Sequence, residues 1–155
     1  WWGTAEPIVI TTFNCDENTK SGTIKNVRFF NVTAKGENGV LIHGNEDNII
    51  EDVTFENCSI ELTKTSKWQC GLYDLRPCLD YGVESHDNSA FFIRYAKDIS
   101  IRKTKTRWGN LCDSYSYAID AANVENLNLS EFDGKSAKEN LDDIKIDHVK
   151  LNYQK

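Results

Sequence analysis

Ile24-Lys25-Asn26-Val27-Arg28-Phe29 is the first copy of a six-residue phrase, aliphatic, charged, Asn or Asp, aliphatic, any, apolar, which this 155-residue chain uses five times. It returns as Ile50-Glu51-Asp52-Val53-Thr54-Phe55, Ala96-Lys97-Asp98-Ile99-Ser100-Ile101, Val124-Glu125-Asn126-Leu127-Asn128-Leu129 and Leu141-Asp142-Asp143-Ile144-Lys145-Ile146. The starts are 26, 46, 28 and 17 residues apart. Because 46 is twice 23, an unmarked unit is expected between the second and third copies. The short last step is what an atypical terminal repeat predicts.

Within each phrase apolar residues alternate with polar ones, as in Val27/Phe29 and Val53/Phe55, which is the period of a β-strand. Stretches such as Ala34 to Gly39 and Gly44 to Asn48 are Gly-, Asn- and Asp-rich turn material. No window carries a convincing helical stripe, and short helical turns are tolerable only over 111–122 and 136–141. Leucine-rich repeats space their apolar residues similarly but need a further Asn and a helical return arm. The expected fold is all-β: a right-handed parallel β-helix, a pectate-lyase-like solenoid of about six or seven coils. At about 4.8 Å per coil it would be roughly 30 Å long.

The chain has fifteen asparagines, and the Asn or Asp in the third place of each phrase suits a tight corner, where its side chain bonds nearby backbone and stacks on its copy in the next coil. The closely spaced carboxylates and Gly-rich nonapeptides of calcium-binding repeats are missing, so no metal and no cofactor is implied. The length fits a single domain spanning 1–155. A net charge of −6 disfavours nucleic acid and anionic membrane as partners, and runs such as Ala90-Phe91-Phe92-Ile93 are far too short to span a bilayer. The chain has no Met and opens on Trp1-Trp2-Gly3, which reads as a processed product or a piece of something longer.

Cys15, Cys58, Cys70, Cys78 and Cys112 form no C-x-x-C pair. Superposing the first two phrases puts Cys58 on Val32, a small core position. Cys70 and Cys78 flank Gly71 to Pro77 and could close that loop, leaving Cys15 and Cys112 free or paired elsewhere. Asn31-Val32-Thr33, Asn57-Cys58-Ser59 and Asn128-Leu129-Ser130 are formal sequons in or just after predicted strands.

The phrases Trp2-Gly3-Thr4-Ala5-Glu6-Pro7-Ile8-Val9-Ile10, Gly22 to Val32, Gly36 to Val40, Ile49 to Asn57 and Tyr73-Asp74-Leu75-Arg76-Pro77 together resemble the C-terminal half of bacterial family 28 glycoside hydrolases, the polygalacturonase-like pectin-degrading enzymes. The resemblance implies a pectate-lyase-like β-helix and hydrolysis of a glycosidic bond with inversion by paired carboxyl groups. It implies that those acids lie on coils upstream of the Glu6-Pro7-Ile8 region, so that no catalytic residue carries over. Within the chain the substitutes are poor: Asp142-Asp143 includes a corner position, His43-Gly44 lacks the preceding Gly, and Arg102-Lys103 is not Arg-x-Lys.

Two groups suit an acidic sugar. Trp68, Tyr73, Asp74 and Arg76 lie in or beside the longest non-repeating excursion, an aromatic platform with a forked guanidinium for a uronate carboxylate. The competing reading is a local Asp74–Arg76 pair that holds the loop. Lys103, Lys105 and Arg107 belong to the one basic stretch, 94–107, and on a strand would share a face along which a polyanion could lie; an ordinary solvated face competes. His43 reads as a structural histidine, Glu37-Asn38 as turn chemistry, and Trp108, Tyr115 and Tyr117 as rings that stack in or over the solenoid or bind sugar. The expected function is part of a polygalacturonase-like hydrolase acting on pectic polysaccharide, partnered by upstream coils of the same enzyme and placed in the secreted, periplasmic or cell-surface space. The alternatives are a non-catalytic module binding acidic polysaccharide and a solenoid for protein interaction.

Overall fold

The computed structural model describes residues 6–79 and 81–154; the Trp1-Trp2-Gly3 opening and the first half of the Trp2–Ile10 phrase lie outside them. Among the described residues all regular structure is strand: Ile8–Thr11 (β1), Lys25–Phe30 (β2), Thr33–Gly36 (β3), Val40–His43 (β4), Ile50–Glu56 (β5), Ser59–Leu62 (β6), Leu72–Asp74 (β7), Val83–Ser85 (β8), Phe91–Arg102 (β9), Lys105–Trp108 (β10), Ile119–Ser130 (β11) and Ile144–Gln154 (β12). The two stretches expected to tolerate a helical turn form loops, and 119–122 belongs to β11.

The chain repeats one path. β1 lies on β4, β4 on β9, β9 on β11 and β11 on β12, every pair parallel. Farther along the same sheet β2 lies on β5 and β5 on the second half of β9. A second parallel sheet stacks β3, β6 and β10. Residues therefore meet their own equivalents: Ile10, Ile42, Ile93, Ala121 and Ile146 form one column, and Phe29, Phe55, Ile101, Leu129 and Tyr153 another. Alternation turns these columns inward, and at the centre Ile42, Phe55, Ile93 and Ile101 are fully buried. Cys58 sits buried among them as expected.

Two expectations about the repeat are corrected. No unit hides in the 46-residue step, because β5 pairs directly with β9 and β6 with β10. The extra residues leave the stack as an excursion over 63–90 that carries the antiparallel hairpin β7–β8. The long sheet is accordingly five strands deep rather than six or seven. The fifth phrase is also out of register: Ile144 pairs with Ile119 and Ile146 with Ala121, whereas the partners of Val124 and Leu127 are Val149 and Leu151. The true last copy is Val149-Lys150-Leu151, one residue shorter, and the sheet absorbs the difference as an irregularity between Val124 and Leu127.

The third-place residues do hold special backbone. Asn26, Asp52, Asp98 and Asn126 have φ of 60°, 52°, 55° and 62°, the left-handed region that Asn and Asp enter most readily among residues with a Cβ. They lie inside strands, so they bend the strand rather than turn it. The corner between the two sheets is a separate left-handed ladder, Asn31, Asn57, Lys103 and Glu131. Side chains stack along both: Asn126 Nδ2 donates to Asp98 Oδ1 at 2.8 Å, and Asn57 Nδ2 to Asn31 Oδ1 at 2.7 Å. A replacement of Asn126 by Ala loses the ladder bond and places an ordinary residue at positive φ, at a cost of about 1–2 kcal/mol; Asn126→Gly loses only the bond and costs less than about 1 kcal/mol. Urea unfolding midpoints of the two variants check the order.

Candidate functional site

Alternation that turns Ile10, Ile42 and Ile93 inward turns their neighbours outward on the long sheet. One outward row reads Val9, Leu41, Phe92, Asp120, Lys145, and the next Thr11, His43, Arg94, Ala122, Asp147. The 63–90 excursion folds over the start of this face, where Tyr73 and Leu75 pack with Leu41 and Phe92 in a small apolar cluster flanked by Phe13 and Tyr81.

Three charged groups meet beside that cluster. Arg94 Nη1 donates to the carbonyls of Ile93 (2.9 Å) and Asp120 (3.0 Å), and Nη2 donates to Asp120 Oδ1 at 2.8 Å. Its guanidinium carbon lies 3.8 Å from the centre of the Phe92 ring, a cation over a π-face. Lys145 Nζ reaches the other carboxylate oxygen, Oδ2, at 3.3 Å, and stands 5.4 Å from the Tyr117 ring centre. One nearly buried carboxylate is thus shared by two cations, leaving a net positive charge, and Lys145 keeps half of its side chain in solvent. Around it lie imidazoles. His43 is buried, 5.0 Å from Phe13 and 5.3 Å from Tyr81 between ring centres, and its Nδ1 donates to the Gly44 carbonyl at 2.7 Å. Burial foremost, with the Arg94 charge, holds His43 below the usual histidine value, and the same two causes in the same order lower His86. Both imidazoles are held toward the neutral form.

The excursion is anchored by polar bonds and one covalent tie. Burial alone would raise the Glu37 carboxyl, but Lys64, Thr65 and Ser66 outweigh it and bring its pKa down to about 2. Lys64 Nζ donates at 2.8 Å, Thr65 donates from both its amide and its hydroxyl, and Ser66 does likewise. Asn88 Oδ1 accepts from the Gly71 amide at 2.7 Å while Asn88 Nδ2 donates to Asn38 Oδ1 at 2.9 Å. Asn38 Nδ2 in turn donates to Glu6 Oε1 at 2.8 Å, and desolvation there raises the Glu6 carboxyl. Gly39, next to this network, has no room for a side chain, since a Cβ would lie 2.2 Å from the Ser89 carbonyl.

Cys70 is bonded to Cys112, correcting the Cys70–Cys78 expectation; Cys15 and Cys78 are free. The reason is register. Beyond β6 and β10 the two segments leave the sheet together, with Gly109 N bonded to Leu62 O and Lys64 N to Asn110 O, both at 2.8 Å, and Gly71 N and Ser114 Oγ, close after the two cysteines, both donate to Asn88 Oδ1.

The residues singled out in the sequence do not converge. Tyr73 is fully buried and offers no platform, because the excursion uses its ring as core. Asp74 and Arg76 form a two-bond pair, Nε to Oδ1 at 2.8 Å and Nη2 to Oδ2 at 2.7 Å, with the guanidinium half-exposed. Trp68 is exposed, with Lys67 Nζ 5.4 Å from its ring centre. Lys105 and Arg107 do share the outer face of β10, but on the three-stranded sheet, and Arg107 is tied to Asp133. Lys103 does not join them; it occupies the left-handed corner before β10. The rest of the basic stretch is neutralised between passes, Lys97 by Glu125 and Arg102 by Glu56. Asp120, Lys145, His86 and Tyr81 escaped the sequence reading. The signal was spacing: Arg94 to Asp120 is 26 residues and Asp120 to Lys145 is 25, one period each.

Comparison of the chain with protein families, with curated proteins and with solved structures finds no match.

The Glu37 anchor predicts acid sensitivity. Its folded-state value lies below the ordinary 4.5, so its contribution is complete above about pH 4.5 and is lost as pH falls toward 2. Glu37→Gln should lower stability at pH 7 by about 3 kcal/mol, with the gap from the unaltered chain closing over that window. Urea denaturation at pH 7, 4 and 2.5 measures it.

Proposed function

We propose that the chain is part of a polygalacturonase-like glycoside hydrolase built as a right-handed parallel β-helix, and that the outer face of its long sheet forms one wall of a cleft for pectic, uronate-bearing polysaccharide. The observation that carries this reading is the Arg94–Asp120–Lys145 group, with the Tyr117 ring beside Lys145. A cation with a free half and an aromatic face are what a sugar ring bearing a carboxylate would engage. Parallel passes in register and the family-like phrases support the β-helix.

The hydrolytic acids lie outside this chain in this reading. Asp120 and Asp74, the carboxylates at the face and on its excursion, are engaged in ion pairs, and the Arg76 guanidinium holds the Asp74 carboxyl below the usual aspartate value. The same commitment favours the second reading, a module that binds acidic polysaccharide without cleaving it. The Cys70–Cys112 bond supports an oxidising compartment, hence a secreted, periplasmic or cell-surface location.

Affinity electrophoresis through polygalacturonate tests the face. Retention at low salt should fall about tenfold in Lys145→Ala and weaken as ionic strength rises. Equal retention in a neutral polysaccharide, or none in polygalacturonate, overturns the reading. Release of reducing ends by the chain alone overturns the placement of the acids.

A further inference from the structure

The two free cysteines outside the core, Cys15 and Cys78, are brought together by the course of the chain. The Leu79 amide donates to the Asn14 carbonyl at 2.8 Å. That amide belongs to the peptide unit leaving Cys78 and that carbonyl to the unit entering Cys15, so one hydrogen bond joins the backbone of the two cysteines. One residue before Asn14, the Phe13 ring lies 5.0 Å from the Tyr81 ring between centres. Positions fall on one segment as they rise on the other, which is an antiparallel course. In such a course the residue after one bonded partner faces the residue before the other, with Cα atoms about 4.5 Å apart at a pair that exchanges no hydrogen bond. A disulfide takes a Cα separation of about 4.4–6.8 Å.

The other three cysteines are committed. Cys70 is bonded to Cys112, and Cys58 is buried with its Sγ against the Phe29 and Glu56 carbonyls at 3.5 and 3.4 Å. Cys15 is exposed and Cys78 half-buried, so an oxidant can reach the first and the second can follow. Their place is where the excursion is least held. Glu37, Asn88 and Cys70–Cys112 anchor its root, and Leu75 N, donating to Gly82 O at 2.9 Å, closes the neck of the 76–81 loop. Among the described residues Leu79 N to Asn14 O is the backbone bond that ties the tip of that loop to the rest of the molecule. The receiving segment is fixed: Thr12 donates to the His43 carbonyl from its amide (3.3 Å) and to the Asn48 carbonyl from its hydroxyl (2.6 Å), and Asn14 Oδ1 accepts from the Ser21 amide at 2.7 Å.

We propose that Cys15 and Cys78 are the site of a second disulfide, formed by thiol–disulfide exchange, which clamps the tip of the excursion to the loop after β1. The oxidant is a disulfide of the glutathione class. Cys15, its thiol proton lost to water, attacks one sulfur of the oxidant, whose other sulfur leaves as a thiolate. The Cys78 thiolate then attacks Cys15 Sγ and expels the remaining sulfur. Two cysteine thiols are oxidised to one disulfide, and one disulfide of the oxidant is reduced to two thiols. The clamp lies beside Phe13, Tyr81 and His43, whose rings pack together at 5.0 to 5.3 Å, and so holds the cover over that end of the face. This inference does not depend on the polysaccharide reading.

The full chain, equilibrated with oxidised glutathione and then alkylated, is digested with trypsin and with a protease that cuts before aspartate; the cut before Asp74 separates Cys70 from Cys78. Mass spectrometry without reduction should find the Cys15 peptide linked to the Cys78 peptide, Cys70 linked to Cys112, and Cys58 alone alkylated. Hydrogen exchange at the Leu79 amide should be about tenfold slower in the oxidised chain than in Cys15→Ser or Cys78→Ser. Both variants should keep the Cys70–Cys112 link and unfold cooperatively on heating, which separates loss of the clamp from loss of the fold. Alkylated Cys15 and Cys78 in the oxidised chain, Cys15 linked to glutathione, to another cysteine or to a second copy of the chain, or equal exchange in all three chains overturns the proposal.

Discussion

Everything in this molecule follows from stacking a strand on its own equivalent. In a parallel ladder each residue faces the residue one period away, so a side chain that fits must fit its copy, and a backbone that bends must bend at the same place in each pass. The columns Ile10 to Ile146 and Phe29 to Tyr153 satisfy the first condition with apolar groups. The left-handed ladders satisfy the second. Asn26, Asp52, Asp98 and Asn126 hold the bend for four passes, and where the fifth omits that residue the register slips. Asparagine and aspartate recur because they combine tolerance of positive φ with a side chain that bonds the copy above or below.

Between passes a second device repeats. Arg28, Arg94 and Arg107 each donate from Nη1 to the carbonyl of the preceding residue and to a carbonyl in the next pass, and from Nη2 to the aspartate that owns that second carbonyl, Asp52, Asp120 and Asp133 respectively. One guanidinium thus closes both the backbone and the charge account of two strands, which a lysine with a single nitrogen cannot do. Exposed ion pairs contribute little on their own. Their value here is in register: a shift by one residue would leave all three arginines unmatched.

The sequence revealed the strand period, the parallel pairing and the buried Cys58 because those are local or strictly periodic properties. It misled where a number coincided with the period. A 46-residue step looks like two units, yet it is a single pass lengthened by an excursion held by Glu37, Asn88 and the Cys70–Cys112 bond. Leu141 to Ile146 matches the phrase by composition, while the strand that pairs with Val124 carries Val149-Lys150-Leu151, too short to match. Tyr73 looked like a platform because its neighbours Asp74 and Arg76 are polar; that it fills a core under the excursion depends on Leu41 and Phe92, distant in sequence.

The functional reading rests on what is different among repeats. Three arginine–aspartate clamps share one geometry, so the clamp itself is architectural. At Arg28 and Arg107 the partner aspartate is substantially exposed, and among the described residues no second cation lies within ion-pair distance of it, Lys105 and Lys135 acting on Asp133 only from farther off. At Arg94 the aspartate is almost fully buried, the guanidinium lies over Phe92, and Lys145 arrives from the following pass beside Tyr117. Lys145 stands in register with Asp120 and ties β12 to β11 much as the clamp ties β11 to β9, but it does so with half of its side chain in solvent and with the Tyr117 ring at hand. The concentration of this lysine and these rings at one of three equivalent places, on the face that the excursion partly covers, is what the proposed sugar-binding role rests on.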